Sequence, residues 1–161
     1  PKLLETISSV CRVNNIKTYL DPKFRDFNLY KNFDVIKCNK IETEFFAKKK
    51  ILNEKELKRE IKKIHKNLNC KIFISTLSSE GHICFDGSKF NKFKTKAEEV
   101  YDVSGAGDSF ISAFSHFYNA NQDIKTSSFL ASVASAISIQ KMGCYAPSIS
   151  EINKKTDENK N

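Results

Sequence analysis

The stretch from Phe33 to Thr76 constrains the fold more than any other. Phe33-Asp34-Val35-Ile36-Lys37 and Lys71-Ile72-Phe73-Ile74-Ser75-Thr76 are short apolar runs of strand character. Between them Ile41, Phe45, Phe46, Ile51, Leu52, Leu57, Ile61, Ile64 and Leu68 recur at helical spacing, with Asn53 placed to cap the second of two helices. A strand, a long helical connection and another strand argue for a parallel pair, since parallel neighbours need such a crossover where antiparallel ones can be joined by a tight turn.

The rest of the chain extends this unit. Leu3, Leu4, Ile7 and Val10 carry helical spacing, and Ile16 to Leu20 alternates like a strand that Asp21-Pro22-Lys23 ends, because proline cannot donate the next ladder hydrogen bond. His82 to Phe85 and Lys89 to Phe93 form a hairpin turning at Asp86-Gly87. After Gly107 a helix runs through Phe110, Ile111, Phe114 and Phe117. A second spans about Ser127 to Lys141 with Ala131, Ala134, Ser135 and Ser138 on a small-residue face, stopped by Gly143 and kept from resuming by Pro147. The pattern predicts an α/β fold: a parallel sheet with helices on both faces and an antiparallel hairpin at one edge. Residues 1–150 read as one domain without internal repeat, and 151–161 as a polar tail that frays after Ile152.

At 161 residues such a fold can bury a core. The formal charge of +8 comes from lysines scattered through helical segments, a solvated surface rather than a nucleic-acid stripe, and its field favours small anions. No apolar run approaches the roughly 18 residues of a membrane span, and no signal-peptide pattern opens the chain, so the expectation is a cytoplasmic protein with neither nucleic-acid nor membrane partner. Cys11, Cys38, Cys70, Cys84 and Cys144 form no CxxC pair, and His65, His82 and His116 share no ligand spacing.

In open α/β sheets ligands bind beyond the carboxyl ends of the strands, which directs attention to 21–23, 39–42, 76–81 and 102–108. The last is the most informative. Gly105 and Gly107 flank Ala106 just before an apolar helix, so the chain can turn tightly and present unpaired N–H groups along the helix dipole. Such donors suit a phosphoryl group whose negative charge spreads over its oxygens. Asp108, in the first turn of the same helix, can accept the proton of an attacking hydroxyl. It can equally be a helix-capping residue beside a plain glycine turn, and the short motif alone does not choose.

The longer string Asp102-Val103-Ser104-Gly105-Ala106-Gly107-Asp108-Ser109-Phe110 resembles the second signature of the ribokinase-like, or PfkB-type, carbohydrate kinases. Asn39-Lys40-Ile41-Glu42 is similar to that family's Asn-x-x-Glu segment. Three stretches resemble, within the family, the heptose 7-phosphate kinases of lipopolysaccharide synthesis that are fused to an adenylyltransferase: Asp21-Pro22-Lys23 with Asp26-Phe27 and Tyr30, the segment 39–42, and Glu98-Glu99-Val100-Tyr101-Asp102-Val103. The likeness covers residues 1–150 as the later, ATP-binding half of such a domain; the earlier half, with most sugar contacts and the lid, has no counterpart here.

The resemblance implies ATP as phosphoryl donor, a sugar or sugar phosphate as acceptor, Asp108 as base and Gly105, Ala106 and Gly107 as anion hole. It implies nucleotide or phosphate contacts at Asn39, Glu42, Thr76, Ser78, Gly81, Lys23 and Ser132, with Ser78 standing where many members carry glycine and Ser132 where they often carry asparagine. It places Mg2+ through Glu42, indirectly, and a monovalent cation, K+, at Asp102 with Ser104, Ser138 and Gly143. A homodimer is implied for a full-length parent. For Glu42 the competing reading is a carboxylate at a helix N-terminus, for Asp102 a turn cap, and for Lys23 a solvated surface lysine. Three functions stand: a heptose 7-phosphate kinase acting at the anomeric hydroxyl, a kinase of ribose, fructose or a nucleoside, and a nucleotide-binding remnant without catalysis.

Overall fold

The computed structural model describes residues 2–94 and 100–158. These fall into two compact units, Pro1–Lys92 and Phe93–Asn161.

The first unit holds the sheet. Helix α1 (Lys2–Val13) precedes strand β1 (Tyr19–Leu20), followed by β2 (Val35–Asn39), α2 (Lys40–Ala47), α3 (Glu54–Leu68), β3 (Ile72–Thr76), β4 (His82–Phe85) and β5 (Phe90–Phe93). Strand order is β1-β2-β3-β4-β5. β1, β2 and β3 run parallel, with Val35 opposite Ile72 and Asn39 opposite Thr76, and β4 is antiparallel to β3. This is the mixed, mostly parallel α/β sheet that the crossover unit predicts. β2 and β3 are buried along nearly their whole length, as strands covered on both faces must be.

The crossover helices form where their caps lie. Asn53 Oδ1 accepts from Glu56 N at 2.9 Å and starts α3, whose Leu57, Ile61, Ile64 and Leu68 all face inward and pack in one core with Ile36, Cys38 and Phe73. β1 is shorter than its alternation predicts. Thr18 gives its N–H (2.9 Å) and its hydroxyl (2.9 Å) to the Asp34 carboxylate instead of a ladder partner, so pairing begins only at Tyr19, and β2 likewise starts at Val35 rather than Phe33. Burial pushes the Asp34 carboxyl up, but Lys71 and Thr18 outweigh it and hold the group below the usual range.

The second unit is helical: α4 (Ala106–Asn121), α5 (Ile124–Ser138) and α6 (Ile149–Glu158). The small face of α5 works as predicted, with Ala131 and Ala134 fully buried and the Ser135 hydroxyl donating to the Ala106 carbonyl of α4 at 3.1 Å. Two boundaries differ from expectation. α5 starts three residues early, because Asp123 caps it through Thr126 N (2.8 Å), and it ends at Ser138, ahead of Gly143. The expected frayed tail is helical through Glu158. Ser148 and Glu151 form a reciprocal cap, Ser148 N donating to Glu151 at 2.9 Å and Ser148 Oγ accepting from Glu151 N at 3.3 Å, and Ile152 is buried against Val133, Ala134 and Ile137.

Candidate functional site

Parallel pairing brings the carboxyl ends of β1, β2 and β3 to one edge of the first unit's sheet. At β1 the chain leaves through Asp21, whose Oδ2 lies 2.8 Å from Lys37 Nζ and 3.6 Å from Lys23 Nζ. Lys23 is exposed and Lys37 buried. At β2, Asn39 is both the last strand residue and the cap of α2. Its Oδ1 accepts from Glu42 N at 2.8 Å, and Glu42 Oε2 accepts from Asn39 N at 2.7 Å. The Asn-x-x-Glu segment is therefore a capping box here, with the Glu42 side chain buried and one oxygen committed to the backbone. Thr43 ties this corner to β3 through bonds to the Asn39 carbonyl (2.8 Å) and Ser75 Oγ (2.9 Å).

At β3, Thr76 Oγ1 reaches the Cys38 carbonyl at 3.5 Å, and the chain then closes a tight turn. Leu77 N donates to the Gly81 carbonyl (2.7 Å) and Gly81 N to the Ser78 carbonyl (3.1 Å). Ser78 has φ 53°, a left-handed conformation that favours glycine, which explains physically why glycine suits this position. Thr76, Ser78 and Gly81 thus share one loop beside Asn39. Burial, with the charges of Glu42 and Asp21, pushes the Cys38 thiol well up, so it packs as an apolar group.

In the second unit the turn 102–108 is sewn to the end of α5. Tyr101 N and Asp102 N both donate to the Ile139 carbonyl, at 2.9 and 3.1 Å. Asp102 accepts from Ser104 N (2.8 Å) and Gly143 N (2.9 Å), bonds that hold its carboxyl below the ordinary range. Asp102 is thus a turn cap in this structure, and it brings Gly143 beside Ser104. Ser138 is buried, its hydroxyl spent on the Ser135 carbonyl (2.8 Å) and its own carbonyl on Lys141 N (3.1 Å). Among the described residues no group of three or more His, Cys, Asp or Glu side chains is placed to hold a metal ion.

Gly105 has φ 76°, and the first helical bond of α4 runs from Ser109 N to its carbonyl at 2.8 Å. Ala106 N turns back to the Val103 carbonyl at 3.3 Å, so of the three N–H groups expected to form an anion hole that of Ala106 is already engaged. Exposed Asp108 borders a cleft of about 360 Å³ that Gly105, Ser109, His116, Cys144 and Tyr145 also line. Ser109 Oγ donates to the Tyr145 carbonyl at 3.0 Å and fixes one wall. Sequence reasoning passed over Cys144 and Tyr145 on that wall and Lys37 beside Asp21; of these only Lys37, a charge inside an apolar strand, carried a signal. Ser132 lies half-buried on α5. Glu98 and Glu99, part of the stretch that carries the resemblance, lie outside the described residues.

The first unit's mostly parallel α/β sheet with capped loops at its strand ends, and the second unit's glycine turn opening a helix, place the chain in the α/β class. The chain belongs to the pfkB family of carbohydrate kinases, which it matches over residues 1–151. It is 34% identical over 151 residues to bifunctional protein HldE of Campylobacter concisus (strain 13826), a match covering 94% of this chain and 32% of that one. With HldE of Campylobacter jejuni subsp. jejuni serotype O:2 it shares 36% identity over 154 residues, 94% of this chain and 33% of the relative. The chain thus spans about a third of these relatives.

Solved structures agree on the fold. An Arabidopsis thaliana ribokinase complexed with ribose and ATP superposes with a TM-score of 0.87 at 20% identity, covering 95% of this chain and 51% of the ribokinase. Phosphofructokinase-2 from Escherichia coli gives 0.85 at 15%, covering 99% and 52%.

Proposed function

We propose that this chain carries the phosphoryl-transfer machinery of a heptose 7-phosphate kinase acting at the anomeric hydroxyl. The observation that supports this best is the corner at Gly105 to Asp108. There the N–H groups of Gly107 and Asp108 and the Asp108 carboxylate lie at one helix N-terminus, in a chain of the pfkB family with HldE relatives. The N–H groups of Gly107 and Asp108 stabilise charge on the transferring group without reorganising, and Asp108 accepts the proton of the attacking hydroxyl. Gly105 makes this possible, because its left-handed backbone turns the helix start toward the cleft.

Asn39, Glu42, Thr76, Ser78, Gly81, Lys23 and Ser132 are assigned to the nucleotide. Lys23, exposed at a strand end, fits a phosphate oxygen as a mobile point charge. For magnesium, Glu42 Oε1 is the carboxylate oxygen left over from the capping box, which suits a contact through water better than direct ligation. Magnesium, when bound, neutralises phosphate charge. The donor set suggested for a monovalent cation, Asp102 with carbonyls near Ser104, Ser138 and Gly143, fits in part: Asp102 adjoins Ser104 and Gly143, and the Ser138 carbonyl, which accepts from Lys141 N, keeps one lone pair for a cation.

The test is ATP-dependent transfer to a panel of heptose 7-phosphate, ribose, fructose and a nucleoside, followed by ADP release and 31P NMR. Transfer to the heptose phosphate alone is the expected outcome. Nucleotide binding with no transfer to any acceptor would identify a non-catalytic module instead.

A further inference from the structure

The ends of β1 and β2 hold an arrangement that the phosphate-site reading, on which this inference rests, does not use. Asp21 faces two ammonium groups with one oxygen. Lys37 Nζ, its side chain 5% exposed, lies 2.8 Å from Oδ2; Lys23 Nζ, its side chain 68% exposed, lies 3.6 Å away. The shorter, enclosed contact is a charge-assisted hydrogen bond, and the longer one is screened by water, so the carboxylate's charge is committed to Lys37. The other oxygen, Oδ1, is enclosed and has no donor among the described residues. Lys37 is therefore the principal hold on this carboxylate. Lys23 is anchored through its backbone, its carbonyl accepting from Arg25 N (2.7 Å) and the Tyr30 hydroxyl (3.2 Å), which fixes the stem at the strand end and leaves the head to choose a partner.

We propose that Lys37 is a positioning residue: it sequesters Asp21, so that the Lys23 ammonium stays available to the phosphate oxygens of the nucleotide instead of being neutralised by its own neighbour.

The full chain tests this with two readouts, MgATP affinity by calorimetry and the rate of Lys23 acetylation by acetic anhydride followed by mass spectrometry. In Lys37→Met the carboxylate turns to Lys23; affinity drops roughly fivefold, to the level of Lys23→Ala, and Lys23 acetylation slows by a similar factor. Lys37→Arg keeps both near wild type. Asp21→Asn/Lys37→Met restores both, because an amide cannot neutralise Lys23, and the acetylation rate of Lys23 is the readout that a merely structural role of Lys37 would not move. That double variant leaves no unpaired buried charge, so it decides the matter even where Lys37→Met does not fold. If it is folded yet as weak for MgATP as Lys23→Ala, or if Lys23 acetylates equally in all variants, the proposal is overturned. Absence of MgATP binding by the wild-type chain counts against the phosphate-site reading alone, and the acetylation series still decides the role of Lys37.

Discussion

Ser78 holds a left-handed backbone at φ 53°, a conformation that costs an L-residue roughly 1 kcal/mol and glycine almost nothing. Ser78→Gly is expected to raise the unfolding free energy by about 0.5 to 1 kcal/mol in urea titration. A loss would mean that the serine side chain offsets the strain. His82 is almost wholly buried, and burial pushes its imidazole down to about 3. Since the folded value lies below the unfolded value of about 6.5, the unfolded chain takes up the proton first, and the stabilising contribution present above that pH drains as it falls. Stability should drop by about 2 kcal/mol between pH 7 and pH 5, and His82→Gln should flatten that part of the profile in parallel urea titrations. The hairpin position of His82 was plain in the sequence, its burial was not. What covers a strand's faces depends on residues far along the chain.

At the scale of elements, Thr43 is the joint that locks α2 to β3, its hydroxyl shared by the Asn39 carbonyl and the buried Ser75 Oγ. Thr43→Val should cost about 1 to 2 kcal/mol by thermal or urea unfolding, because Ser75 then stays buried without that partner. The crossover from β2 through two helices to β3 was legible because its apolar period and the Asn53 cap are local signals. Element ends were less so. β1 is cut short by the Asp34 carboxylate sixteen residues away, a competitor that no window around Tyr19 contains. The caps at Asp123 and Ser148-x-x-Glu151 were local and readable, and they account for the early start of α5 and for α6. In the site, Asn39 and Glu42 were picked out as a pair by their resemblance to the family's Asn-x-x-Glu segment, while the capping box they form emerges only with the side chains in place.

For the whole molecule, membership of the pfkB family rests on a match that runs through both units. Among the described residues no helix is long and apolar enough to cross a membrane. The charge of +8 is spread over lysines along much of the chain, and its field favours small anions. What made the kinase family legible was the resemblance of the string from Asp102 to Phe110 to a family signature, with which the order of the loops at 21–23, 39–42 and 76–81 agrees. What fixes the acceptor is geometry that spacing along a chain does not encode. The central claim, that Asp108 is the base beside an N–H anion hole, is tested most directly by comparing Asp108→Asn with wild type, both in the intact enzyme, for MgATP affinity and for phosphoryl transfer to heptose 7-phosphate. The variant should bind MgATP within about twofold of wild type while its turnover falls at least about a hundredfold; turnover within a few-fold of wild type would contradict the assignment.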